Sequence, residues 1–182
     1  PSGDDTREWG PPFIEQESAY FLSVNRNKKS MILNLKEEEG KEIFLKLVKE
    51  ADVVVENFRP GTLKRLGIDY DVLKEQNPRI ILASISGFGQ TGKYAQKPGY
   101  DVLAQGMGGL MSVTGEKGKR PVKAGFSLAD LGTGMWAAFG ILAALYERQY
   151  SGKGQWIDVS LFDTIVSWQT YLAGHYFASG ID

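Results

Sequence analysis

The apolar positions of this chain change their period along its length, and each change marks an element. Residues 1–18 are polar and rich in turn formers, including Pro11 and Pro12, and read as a surface loop. Residues 20–24 form a short apolar run, and Arg26, Asn27, Lys28 and Lys29 a basic turn. Residues 30–35 (SMILNL) predict a strand. Gly40, Ile43, Phe44, Leu47, Val48 and Ala51 then recur at three- and four-residue steps, with Lys41, Glu42, Lys46, Lys49 and Glu50 between them. That is an amphipathic helix.

Residues 52–56 (DVVVE) are an unbroken β-branched run, as expected of a buried parallel strand. A turn over residues 57–61 leads to a short helix at 62–66 stopped by Gly67, then to a second short helix at 69–76 ended before Pro78. Residues 79–86 (RIILASIS) predict the next strand. A glycine-rich loop spans 87–99, a helix of small residues 100–111 and a polar connection 112–122. A long apolar helix follows around Asp130 and runs to about Tyr150, where residues 151–154 (SGKG) stop it. Residues 155–161 alternate as a strand does, and Asp163 is placed to cap a last amphipathic helix through Phe177.

Strands alternating with helices at this spacing imply βαβ units. The expected fold is α/β, an open, mostly parallel sheet with flanking helices, as a single domain over residues 1–182. Residues 1–24 would be a surface loop and a short lead-in. The chain opens on a turn-rich string without methionine and stops just after a helix-like segment, so it reads as part of something longer.

Composition narrows the chemistry. The formal net charge of −1 provides no global field to recruit nucleic acid or an anionic membrane. Cysteine is absent, which excludes disulfides, thiolate metal sites and a cysteine nucleophile; the single histidine, His175, excludes a multi-histidine metal site. His175 lies beside Tyr171 and Phe177 and reads as partly buried and structural. No uncharged run is long enough to span a membrane; the longest, around residues 135–146, also carries glycine.

Asp130 is the candidate carboxylate. Residues 127–130 (SLAD) have capping-box spacing, with a hydroxyl at the cap and an acid three residues on. Spacing alone fits a helix cap. In a first turn, unpaired N–H groups and the helix dipole would favour the ionised acid. Gly132 and Gly134 stand where better helix formers are cheaper by about 1 kcal/mol each, which suggests close approach of a ligand or another backbone to the acid.

Residues 87–92 (GFGQTG) match G-x-G-x-x-G after a strand. However, Pro98 and Gly99 interrupt where a helix should open, so the motif is a glycine loop and no nicotinamide site. Arg26, Lys28, Lys29 and Lys36 flank the first predicted strand, and Arg59, Arg65, Lys93 and Lys97 lie beyond the ends of the next two. Cations outside the carboxyl ends of strands can converge on phosphates, or simply be a solvated face. Asp101 falls near a helix start, an ordinary place for an acid.

An ordered set of strings resembles the family III CoA-transferases, the group of formyl-CoA, succinyl-CoA and carnitine-related enzymes. They are residues 25–30 (NRNKKS), 34–36 (NLK), 52–61 (DVVVENFRPG), 66–67 (LG), 77–80 (NPRI), 86–92 (SGFGQTG), 98–101 (PGYD), 109–111 (GLM) and 151–154 (SGKG). ENFRPG and PGYD are the most specific. The resemblance implies a Rossmann-like large domain, incomplete here at both ends, with Asp130 as the catalytic aspartate. It implies CoA contacts at Leu33, Asn34, Leu35, Lys36, Asn57, Phe58, Arg59, Arg65, Lys97, Tyr100 and Asp101.

The implied activity moves CoA from an acyl-CoA donor to a small carboxylic acid through an aspartyl-CoA thioester. CoA is then a substrate and no tightly bound cofactor is needed. The implied assembly is an interlocked homodimer, with neither nucleic acid nor membrane as partner and a cytoplasmic location, mitochondrial in a eukaryote. Related 2-methylacyl-CoA racemases carry histidine where this chain has Tyr100, a poor base near neutral pH, so transferase is favoured over racemase. A non-catalytic CoA- or nucleotide-binding module, in which Asp130 only caps its helix, is the alternative from another class.

Overall fold

A computed structural model describes residues 3–180, and the chain divides into two compact units with the boundary at Phe44–Leu45. In the first unit, the expected surface loop is more ordered than its composition suggests. A 3₁₀ turn at Asp5–Glu8 is capped by the Asp4 side chain, and β1 (Phe13–Ile14) pairs antiparallel with β2 (Glu17–Ser18). The Ser18 hydroxyl caps α1 (Ala19–Val24), accepting from Phe21 N at 3.0 Å. Arg7 pairs with Glu17 and lies over the Phe21 ring.

The strand expected at residues 30–35 is absent. The segment pairs with no other strand among the described residues, and Ile32 is 80% exposed. Alternation supplies a strand's pattern, but a ladder needs a neighbour. Its end is shaped by Asn34, whose backbone carbonyl accepts from Glu37 N and whose side chain accepts from Lys36 N. Helix α2 (Glu38–Glu50) follows on the predicted register. Val48 is buried on its apolar stripe, while Ile43 and Leu47 stay exposed.

The second unit is built on a three-stranded parallel sheet in the order β3 (Val53–Glu56), β4 (Ile81–Ser86), β5 (Trp156–Ser160). Helices α3 (Thr62–Leu66) and α4 (Tyr70–Gln76) connect β3 to β4, with Gly67 stopping α3 in the left-handed region and Asp69 capping α4. β4 is the central strand; Ile81, Leu82 and Ala83 are buried there with the flanking Ile80. Burial of each such large aliphatic side chain contributes about 1.5–3 kcal/mol.

Helix α6 (Leu128–Ser151) packs along β4 and β5 and ends at the left-handed Gly152. Against the expectation drawn from residues 135–146, its 24 residues are long and apolar enough to cross a bilayer by length and composition. In the fold, Ala129, Gly132, Thr133, Ala137, Ala144 and Arg148 are buried, and Leu131, Met135, Phe139, Leu142 and Tyr146 face outward.

The helix expected over residues 100–111 is α5 (Asp101–Met107) plus a 3₁₀ turn at Leu110–Ser112, broken at the left-handed Gly109. The single last helix is two, α7 (Leu161–Ser167) and α8 (Thr170–Ser179). Its cap is Ser160, not Asp163: the Ser160 hydroxyl accepts from Asp163 N at 3.0 Å and donates to the Asp163 carboxylate at 2.7 Å. Ala104, Ala129, Leu161 and Ile165 form a small core between α5, α6 and α7, with Ile85, Leu110 and Leu128 packed against it. That core fixes the start of α6 beside the carboxyl end of β4.

Candidate active site

The first turn of α6 carries Asp130, and its cap comes from elsewhere in the chain. Ser127 makes no side-chain capping bond. Instead the Asp101 carboxylate, at the start of α5, accepts from Ala129 N at 2.7 Å and from Asp130 N at 3.3 Å. Leu128 N donates to Phe126 O and Leu131 N to Ser127 O. The N–H groups expected to welcome an ionised Asp130 are therefore already used.

The electrostatic consequence reverses the sequence expectation. The Asp130 carboxyl is held above its ordinary value of 3.8, first because surrounding protein strips part of its hydration and second because the Asp101 carboxylate repels its charge. The residue as a whole is nonetheless exposed, and among the described residues no hydrogen bond or ion pair engages its side-chain oxygens. A carboxylate with a raised pKa, no donors and an open face is more basic, and a better nucleophile, than a capping aspartate.

Of the other residues proposed from the sequence, Asn57, Phe58, Arg59, Arg65 and Lys97 gather at the carboxyl ends of β3 and β4. Asn57 Nδ2 donates to Ile85 O at 2.7 Å, and the buried Glu56 carboxylate accepts from Phe58 N at 2.7 Å, which anchors the turn carrying Arg59. Phe58, Arg59 and Arg65 are exposed, and Arg65 donates to Thr62 Oγ1 at 2.7 Å. Gln96 Nε2 reaches Pro60 O at 3.5 Å, which draws the loop of Lys97 to the same turn; Lys97 lies over the Tyr94 ring.

Gly87 and Gly99 cross so closely that a Cβ on either would overlap the other's backbone. This crossing accounts for glycine at both positions. It sets Tyr100 and Asp101 beside the end of β4, with the Tyr100 ring exposed. Leu33, Asn34, Leu35 and Lys36 belong to the first unit, where Leu33 and Leu35 are half-buried and Asn34 and Lys36 exposed.

A cleft of about 300 Å³ opens on the sheet face bearing Leu82, Ser84 and Trp156, walled by α3 and α4 and including Arg59. It does not include Asp130.

Two further expectations change, and Asp101 stands at a helix start as expected. Gly132 makes room for a side chain, not a ligand: a Cβ there would overlap the Trp168 indole, whereas one on Gly134 would meet open space. Gly132→Ala is therefore expected to cost about 1–3 kcal/mol, and Gly134→Ala to gain up to about 1 kcal/mol, both read by urea unfolding. His175 is exposed, edge-on to Tyr171, not partly buried. Asp101 has both carboxylate oxygens committed to protein donors. Sequence reasoning missed Gln105, which is fully buried and donates to Asp101 Oδ2 at 2.6 Å; its i+4 spacing from Asp101 is the one available signal.

The profile described as CoA-transferase family III matches residues 1–182. The chain is 45% identical to the succinyl-CoA:glutarate CoA-transferase of Homo sapiens over 175 residues, covering 96% of this chain and 40% of that protein. It is 51% identical to the acetyl-CoA:oxalate CoA-transferase of Acetobacter aceti over 162 residues, covering 88% of this chain and 41% of that one. Among solved structures, a CAIB/BAIF family protein from Brucella suis superposes with a TM-score of 0.96 at 48% identity, covering 100% of this chain and 49% of that one. The chain thus spans about two fifths of the length of the curated relatives it matches.

Proposed function

The chain belongs to CoA-transferase family III, and on that premise we propose that Asp130 is the acyl acceptor of a CoA transfer between carboxylic acids. The observation that carries the reading is the open, unpartnered Asp130 carboxylate at the start of α6, kept basic by its surroundings.

One Asp130 oxygen attacks the carbonyl carbon of the donor thioester; the C–S bond breaks and CoA leaves as thiolate. The thiolate then attacks the Asp130 carbonyl of the mixed anhydride, releasing the donor acid and leaving an aspartyl-CoA thioester. The acceptor carboxylate repeats the exchange: it attacks the aspartyl carbonyl and expels the thiolate, which takes the acceptor's acyl group and frees Asp130. Charge and atoms balance at every step without a proton or a metal. Splitting one transfer into successive acyl exchanges is what covalent catalysis contributes.

The nucleotide end of CoA would lie along Asn57, Phe58, Arg59, Arg65 and Lys97, with Tyr100 a further contact among those the family resemblance implies. The exposed cations at the strand ends support that placement. The named relatives pair an acyl-CoA with glutarate or oxalate, which supports a small dicarboxylic acid as acceptor. The outward apolar row on α6 supports burial in an interlocked homodimer of the full-length protein.

Mass spectrometry tests the chemistry. Full-length protein mixed with an acyl-CoA should carry a CoA adduct on the peptide of Asp130, converted by hydroxylamine to the hydroxamate. Because the ionised acid attacks and its pKa is raised, adduct formation should fade on acidification at a pH above the ordinary 3.8 of an aspartate. Adduct on any other residue, or none during turnover, removes the reading.

A further inference from the structure

Asp101 and Gln105 stand one helical turn apart on α5, and between them they grip both sides of the turn that presents Asp130. Gln105 is fully buried with its amide used at both ends. Its Nε2 donates to Asp101 Oδ2 at 2.6 Å and lies 3.5 Å from Phe126 O; its Oε1 accepts from Ala124 N at 2.8 Å. Rotating that amide would set N–H against N–H and oxygen against carboxylate, so its orientation is fixed. Asp101 Oδ1 in turn holds the Ala129 and Asp130 N–H groups. Gln105 therefore ties down the loop before α6, and Asp101 the helix's first turn.

Resting on the reading of Asp130 as acyl acceptor, we infer that Asp101 and Gln105 are positioning residues for that reaction, setting where the Asp130 carboxylate sits while contacting neither CoA nor the acyl group. Reacting atoms must approach to about 3–3.5 Å, and a displacement of about 1 Å can cost on the order of 10²-fold in rate. Ser127 makes no side-chain capping bond, so the capping side chain at the start of α6 is the one this pair supplies. The pair also keeps two backbone donors off the Asp130 oxygens, which preserves their basicity.

An exchange of partners tests the inference in the full-length protein. Asp101→Asn sets an NH₂ against the Gln105 NH₂. Gln105→Glu sets carboxylate against carboxylate. The double variant restores the pairing between 101 and 105 with roles reversed and gives up only the long 3.5 Å contact to Phe126 O, since an amide at 101 accepts from Ala129 N and donates to a carboxylate at 105, which accepts from Ala124 N. Each single exchange should lower kcat roughly 10- to 100-fold, with KM for acyl-CoA little changed and the hydroxylamine-trapped fraction falling in parallel. The double should recover to within about tenfold of wild type.

Wild-type kcat in the singles, a rise in KM alone, or a kcat loss that the double fails to recover each overturns the inference; the rise in KM would make Asp101 a CoA contact. Should a single variant fail to fold, the double decides: kcat within about tenfold supports the inference and a larger loss overturns it. Asp130→Ala is the separate arm. If it still transfers CoA, the acyl-acceptor reading fails and the inference falls with it. If it is inactive while both singles keep full kcat, only the positioning role fails.

Discussion

Asp130→Ala in the full-length protein should lower CoA transfer by at least about 10³-fold while acyl-CoA still binds. Removing a covalent nucleophile eliminates the pathway, and what survives is catalysis from binding and positioning alone. Asp130→Glu keeps the charge but moves the carboxylate by about one methylene, and should still cost on the order of 10²-fold. Initial-rate transfer assays, with acyl-CoA binding followed by calorimetry, separate the steps. Transfer within tenfold of wild type in Asp130→Ala would eliminate the nucleophile.

The same side chain predicts a stability effect of opposite sign. The folded-state pKa of Asp130 is raised above its ordinary 3.8, so the folded protein binds the proton more tightly than the unfolded chain does. Its contribution to stability is therefore greatest below 3.8 and is lost as pH rises through the raised value. At neutral pH the ionised carboxylate opposes folding. Asp130→Asn should unfold at a higher temperature than wild type at pH 7, with the advantage shrinking on acidification. An active-site acid that costs stability is the usual trade of function against folding.

Arg148→Met should destabilise the fold by about 2–4 kcal/mol. Arg148 is buried near the far end of α6, where its guanidinium reaches Arg79 O at 2.9 Å, Asp52 O at 3.3 Å and Asp52 Oδ1 at 2.7 Å. Asp52 adjoins the first residue of β3 and Arg79 stands two residues ahead of β4, so one side chain ties the helix to the starts of two strands. Methionine fills most of the volume but takes the guanidinium donor from Arg79 O, whereas Asp52 O keeps its bond from Ile81 N at 3.1 Å; losing the Nε, which is buried without a partner, offsets a little.

The ion pair itself contributes little, because the Asp52 side chain is 76% exposed. Asp52→Asn should therefore cost under about 1 kcal/mol. Arg148→Lys should resemble Arg148→Met, since one ammonium cannot span three acceptors in a guanidinium's fork. Urea unfolding of the four proteins checks this, and equal losses in Arg148→Met and Asp52→Asn would contradict it.

Much of this fold was legible before any coordinates. The β-branched run at residues 52–56 and the apolar string at 79–86 became the paired strands β3 and β4; β4 is buried along its length as a continuous apolar signature predicts, whereas β3 lies at the sheet edge with Val55 56% exposed, so its run is not that of a buried strand. Gly67 and Gly152 ended their helices as expected, being residues for which the left-handed region carries no steric cost. The errors share a cause. Residues 30–35 had a strand's alternation but lacked a neighbour to pair with. Gly132 looked like an opening for a ligand and instead admits Trp168, 36 positions later.

The sequence by itself determined the α/β class, the succession of elements from α2 to β5, the family resemblance and the choice of Asp130, because each rests on local pattern or on strings in order. Only the tertiary structure decided what surrounds that carboxylate. The cap of α6 is an aspartate 28 residues upstream of Ala129, held by a glutamine in the core, and it consumes the very N–H groups a local reading would have given to Asp130. Hydration, repulsion and unused donors depend on which groups meet through space, and no spacing along the chain encodes that meeting.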